Sequence, residues 1–188
     1  MRKLDPTDLY ELDPARPDLT GVCLVQALDG FIDAGGARKI AVDHLLESLE
    51  HTVLVRFDHD QLFDYRARRP IMVFAKDHWA SYDTPLLAIH LVHDLDGKPF
   101  LLLAGPEPDV QWERFAAAVE QICKLLGVRR SIGLNAIPMG LPHTRPVGVI
   151  AHGMPTSLVA DHESWVENVQ VPASTGHLLE WQLGEAAC

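Results

Sequence analysis

Residues able to do chemistry gather in four loops, 29–36, 105–109, 138–146 and His152-Gly153, each placed directly after a run that reads as a β-strand. In open α/β sheets ligands sit beyond the carboxyl ends of the strands, so parallel strands would bring these loops to one rim. That rim would hold Asp29, Asp33, Glu107, Asp109, His143, Thr144, Arg145 and His152. Carboxyl and imidazole groups can move protons, and a guanidinium can hold an anion with its fork of donors. Asp33, His143 and Arg145 are the candidates for acid/base or ligand-binding work. The same residues also have a plainer reading. Asp and Gly before a helix are ordinary caps, and prolines are ordinary turn formers.

Other constellations stay weaker. The run Gly30-Phe-Ile-Asp-Ala-Gly-Gly-Ala37, with Gly35 and Gly36 opening a helix, could offer free N–H groups to an anion. It lacks the Lys-Ser/Thr of a P-loop and the G-x-G-x-x-G order, and close packing of helix on sheet is the favoured explanation of its glycines. Arg66, Arg68 and Arg69 form the only basic cluster. They suit a phosphate clamp, pairing with a neighbouring subunit, or a solvated loop. The ten histidines include no H-E-x-x-H and no Cys/His set, and His90 and His93 point to opposite faces of one strand. No metal and no other cofactor is expected. Ser81, Ser131 and Ser157 have no adjacent base and no G-x-S-x-G elbow. Trp79, Trp112, Trp165 and Trp181 are too scattered to form a stacking platform.

The elements that must position these residues read as follows. An apolar strand at 22–28 leads through the glycine run into a helix at 37–50, on which Ala37, Ala41, Leu45 and Leu49 form a stripe with Ile40 beside it. A strand at 52–57 completes a strand–helix–strand unit, which favours parallel strands. Strands at 71–74, 85–93 and 99–104 follow, the last two joined by a hairpin at Asp94-Leu-Asp-Gly97. A helix then runs to Gly127 with Phe115, Val119, Ile122 and Leu126 facing inward. Strands at 131–137 and 147–151 precede a final helix at 178–187 carrying Leu179, Leu183 and Ala186. Pro6, Pro14 and Pro17 make residues 1–19 an extended N-terminal arm, anchored by Leu4, Leu9, Tyr10 and Leu12. The expected fold is α/β, a mixed, mostly parallel sheet between helices, in one domain over 20–188. The last helix stops at Cys188 with no polar tail. A missing C-terminal part is therefore expected, leaving an edge for another subunit to cover.

Composition narrows the class of function. At 188 residues and 47% hydrophobic content, the chain can build a core. Lys+Arg 16 against Asp+Glu 26 gives a formal charge of −10, which argues against nucleic acid and anionic membrane surfaces as partners. No apolar run approaches the roughly 20 residues of a membrane span, and the first residues carry no secretory signal. Cys23, Cys123 and Cys188 form no disulfide pattern, so a cytoplasmic setting is expected.

Four blocks in order carry a family likeness: 30–37, then Asp64-Tyr-Arg-Ala-Arg-Arg-Pro70, then Gly105-Pro-Glu-Pro-Asp109 with Trp112-Glu-Arg-Phe115, then Ile137-Pro-Met-Gly-Leu-Pro-His-Thr-Arg-Pro146. Together they resemble the bacterial branch of the proteasome assembly chaperone 2 family, from about residue 19 onward. The resemblance implies a phosphorylase/hydrolase-like fold, similar to purine nucleoside phosphorylases. It also implies a homo-oligomer, commonly a trimer, with proteasome subunits as partners. Eukaryotic members dock through a C-terminal hydrophobic–Tyr–any-residue tail, whereas this sequence ends Gly184-Glu-Ala-Ala-Cys188. The expected function is therefore a non-catalytic oligomeric protein that binds protein partners. The alternative is a small-molecule binding protein, for a nucleoside- or phosphate-type ligand, or a phosphorylase- or hydrolase-like enzyme working at the loop rim.

Overall fold

The computed structural model describes residues 4–162 and 167–186. Trp165 and the last two residues, singled out above, lie outside the described residues. The main sheet has six strands, in chain order β1 (Tyr10–Leu12), β2 (Cys23–Asp29), β3 (His51–Phe57), β6 (Ala88–His93), β7 (Pro99–Pro106) and β8 (Arg130–Gly133). A two-stranded hairpin, β4 (Met72–Ala75) and β5 (His78–Tyr82), stands apart from it. The spatial order is β1-β3-β6-β7-β2-β8. The β7–β2 and β2–β8 ladders are parallel, and the other three are antiparallel. Four strands, β3, β7, β2 and β8, thus run in one direction, and β1 and β6 oppose them. The expected hairpin between β6 and β7 is present, its Asp94 carboxyl accepting from the N–H groups of Asp96 and Lys98.

The two faces of the sheet are covered unequally. On one face α3 (Trp112–Leu126) buries Phe115, Val119, Ile122 and Leu126 as its spacing predicts, and Phe115 packs on Phe57 with ring centroids 4.9 Å apart. It ends at Gly127. Beside it α4 (Thr175–Glu185) buries Leu179 and Leu183. The short α2 (His59–Leu62) contributes Leu62 to the same core. On the other face, among the described residues, only α1 (Ala37–Ser48) lies over Ala27, Val92, Leu102 and Ala104. Its inward row is Arg38, Val42, Leu45 and Leu49, one position out of phase with the expected stripe at its start. Ile40 is exposed. The reason is electrostatic. The Asp33 carboxyl fixes the first turn through the N–H groups of Arg38 and Lys39, and the Arg38 side chain turns in.

The arm places Leu9, Tyr10 and Leu12 against the core, whereas Leu4 is exposed. Arg114 holds it: Nε and Nη2 donate to the Asp5 carbonyl at 2.9 and 2.6 Å, and Nη1 donates to Gln61 Oε1 and Gln111 Oε1. Two strand expectations need correction. The strand at 131–137 stops at Gly133, and no strand forms at 147–151. Strand composition alone does not make a strand: 147–151 does not pair with the free edge of β8, and every other strand of the parallel half is already paired on both sides.

Candidate functional site

The carboxyl ends of the three neighbouring parallel strands β2, β7 and β8 line a partly open cavity of about 60 Å³, bounded on another side by the start of α4. That is room for roughly four waters. Each strand delivers polar groups to it. β2 carries Gln26, and the turn after β2 carries Gly30 to Ile32 and leads into Arg38. The exit of β7 carries Glu107, and the exit of β8 carries Asn135. His177 and the pair His152–Glu180 complete the wall and the mouth. His152 Nδ1 lies 2.7 Å from Glu180 Oε1, and this hydrogen bond raises the imidazole pKa above its ordinary value.

Glu107 is buried, 7% exposed, and one of its oxygens serves the fold: Oε1 accepts from the backbone N–H of Thr175 at 2.5 Å, at the N-terminus of α4. Its other oxygen faces Gly30. A Cβ at Gly30 would lie 2.9 Å from Glu107 Oε2 and 3.8 Å from Arg38 Nη1, so glycine leaves room for both side chains beside the turn. Arg38 is 7% exposed, and its ion pairs are long, 3.9 Å to Asp29 and 3.8 Å to Asp33. Burial raises the pKa of Asp29 against the pull of Arg38 and Lys39. Burial would also raise Asp33, but the N–H bonds from Arg38 and Lys39, with the Arg38 charge, hold its carboxyl below the ordinary range.

Several cavity groups lack partners. Among the described residues, Gln26 Oε1, Arg38 Nε and His177 Nδ1 are buried with no hydrogen bond, and Gln26 is only 4% exposed. Each such atom costs about 1–3 kcal/mol when left unpaired in a folded chain. All three belong to residues that line the cavity, while the atoms themselves are shielded from it.

The residues expected at the rim divide accordingly. Glu107 and His152 line the cavity, and Asp29 and Asp33 stand behind it around Arg38. Asp109 turns away, bound by Arg68 Nε at 3.0 Å and by the Asp64 N–H, while Arg68 Nη2 donates to the Glu107 carbonyl. Arg68 is therefore a clamp between two loops, and Arg66 and Arg69 are solvated. His143, Thr144 and Arg145 are exposed on the 134–151 segment and do not meet Asp33. Gly35 and Gly36 take φ values of 65° and 67°, with open space where a side chain would go. Left-handed backbone, not close packing, is their reason, and it lets the chain double back so that Asp33 caps α1. Sequence reasoning missed Gln26, Arg38, Asn135 and His177. The available signal was Gln26, an amide inside the otherwise apolar run 22–28.

An α/β protein whose mixed sheet lies between helices, with a small polar cavity at its parallel strand ends, is the class these features define. The chain belongs to the PAC2 family, whose model matches residues 27–188. A Mycobacterium tuberculosis protein of unknown function is 42% identical with a TM-score of 0.89, over 98% of this chain and 67% of its own. A Corynebacterium glutamicum protein of unknown function is 40% identical with a TM-score of 0.87, over 95% of this chain and 68% of its own. A Mycobacterium tuberculosis proteasome-assembly chaperone homologue shares the fold at a TM-score of 0.80 and 23% identity, over 88% of this chain and 70% of its own. No curated protein matches the chain. No helix among the described residues is long and apolar enough to cross a membrane.

Proposed function

We propose that the protein is a non-catalytic, chaperone-like homo-oligomer, trimeric as its family resemblance implies, that binds protein partners in the cytoplasm. The observation that supports this reading is the β4–β5 hairpin. Ile71, Met72, Val73, Phe74, Trp79 and Tyr82 are all exposed on it, and Phe74 and Trp79 meet edge to face at 5.2 Å. An isolated two-stranded hairpin is marginal in water, and an apolar one is a surface for another chain. Membership of the PAC2 family and the printed description of the chaperone homologue make proteasome subunits the first partner to test.

Size-exclusion chromatography with light scattering, run with and without purified proteasome α subunits, tests it. The expected result is a multiple of the chain mass that shifts further when α subunits are added. The double variant Phe74→Ser, Trp79→Ser should lose one or both. A single-chain mass at every concentration with no co-elution overturns the reading.

A further inference from the structure

We infer that in the oligomer the β4–β5 hairpin of one copy seats on segment 137–146 of the next, head to tail, so that each chain gives its hairpin to one neighbour and its segment to another. This contact rests on the oligomer reading above and names both halves of its interface.

The register of the hairpin sets one half. Met72 stands opposite Tyr82 and Phe74 opposite Trp79, and with the bulge after Val73 all four share one face. These side chains are 46–62% exposed and carry no charge. Methionine and aromatic rings are the residues in which the cores of protein interfaces are enriched. Tyr82 is hydrogen-bonded to Tyr65, which donates to Asp60, so the root of the hairpin is fixed to the body before a partner arrives.

Proline sets the other half. Pro138, Pro142 and Pro146 fall at intervals of four, and Met139 and Leu141 between them are 43% and 48% exposed. Every residue from 137 to 149 is exposed. The segment is held near both ends, by the Ala34 N–H donating to the Ala136 carbonyl at 2.9 Å and by His152 on Glu180. Proline fixes φ, so such a segment loses little freedom on docking, and proline-bearing chain lies readily on aromatic surfaces.

Charge selects a second copy as the occupant. At a formal −10, copies of this chain repel one another over most of their surface. Segment 134–151 carries His143 and Arg145 and no carboxylate, and the hairpin face is neutral, so two copies meet here without opposing acids. Within one chain both surfaces are exposed, so neither covers the other. A hairpin-on-hairpin contact would cover one and leave the other in water. Head-to-tail pairing covers both with a single repeated contact.

Light scattering on the full chain tests it, with the hairpin variant Phe74→Ser, Trp79→Ser and a segment variant Met139→Ser, Leu141→Ser. All four side chains are exposed, so both variants should keep the fold, which circular dichroism checks. Each variant alone should run at the single-chain mass. Mixed in equal amounts, they should form a pair of twice that mass, because the intact hairpin of one meets the intact segment of the other and the remaining halves are disabled. A segment variant that keeps a multimeric wild-type mass, or a mixture that stays single-chain beside a multimeric wild type, overturns the head-to-tail contact and leaves the oligomer reading standing. A single-chain wild type overturns both. As a second measurement, a labelled peptide of residues 136–148 should bind the segment variant, by fluorescence anisotropy, and bind the hairpin variant at least roughly tenfold more weakly. The same peptide carrying Met139→Ser and Leu141→Ser should not bind. Equal binding to both variants, equal binding of both peptides, or no binding of the unaltered peptide overturns the contact.

Discussion

His90 lies on β6 at 6% exposure, with its ring edge-on to His51 at a centroid distance of 5.6 Å and its Nδ1 without a partner among the described residues. Burial, with lesser contributions from His51 and Arg56, lowers its pKa to about 4. In the unfolded chain the same imidazole titrates near 6.5. Between those values the unfolded state takes up a proton that the folded state refuses. Stability is therefore full above about pH 6.5, falls as pH drops toward 4, and levels below that. The whole effect is at most about 3 kcal/mol. Denaturant melts at pH 7, 5.5 and 4.5 should show the wild-type midpoint falling, and His90→Leu should remove most of that fall. An equally steep fall in the variant would assign the acid sensitivity to other groups. His90 was legible as a strand residue facing away from His93, but its burial was not. Whether a polar residue in a strand is covered depends on the helix laid over that face, which local pattern does not specify. Arg38 was hidden for the same reason, since in sequence it reads as a solvated cation in a first helical turn.

The elements with strong local signals were the legible ones. The stripe of α3 and the Asp-Gly hairpin between β6 and β7 form as expected because each is set by residues a few positions apart. The segment 147–151 has strand composition yet leaves Val147 and Val149 exposed, since a strand also needs a partner edge. Gly105, near the end of β7, shows how one element positions the cavity. Its φ is +123°, and a Cβ there would lie 2.2 Å from the Leu86 carbonyl oxygen and 2.8 Å from Leu87 Cα. Backbone against backbone cannot yield as a flexible side chain can. β7 parts from β6 after Ala104 but stays on β2 through Pro106, and this close approach fixes the exit that delivers Glu107, two residues later, to α4. Gly105→Ala should cost about 3–5 kcal/mol, or abolish folding. Thermal unfolding of the purified variant checks this, and a loss below 1 kcal/mol would show that the β7 exit can move.

At the scale of the molecule, the sheet is deeply covered on one face by α3 and α4 and thinly on the other by α1. Arg38 is the only fully buried residue of α1, while Val42, Leu45, Leu46 and Leu49 are only partly covered. Local opening follows local burial, so α1 should detach more easily than α3. In hydrogen exchange the amides of β6, β7 and α3 should open only with global unfolding, and those of α1 should exchange faster by roughly tenfold or more. The exposed apolar surfaces, the β4–β5 hairpin and the 134–151 segment, belong to neither core formed by the described residues. If copies of the chain cover them, their amides should gain protection as concentration rises, while α3 stays constant. A formal charge of −10 opposes that association at low ionic strength. Added salt screens the repulsion and should strengthen protection at the hairpin and along 134–151. The same increase in α1 would place α1 in the interface and give its thin packing a purpose. Protection in α1 equal to that of α3 at every concentration would remove the asymmetry argument. Exchange at the hairpin that ignores both concentration and salt would count against self-association through it.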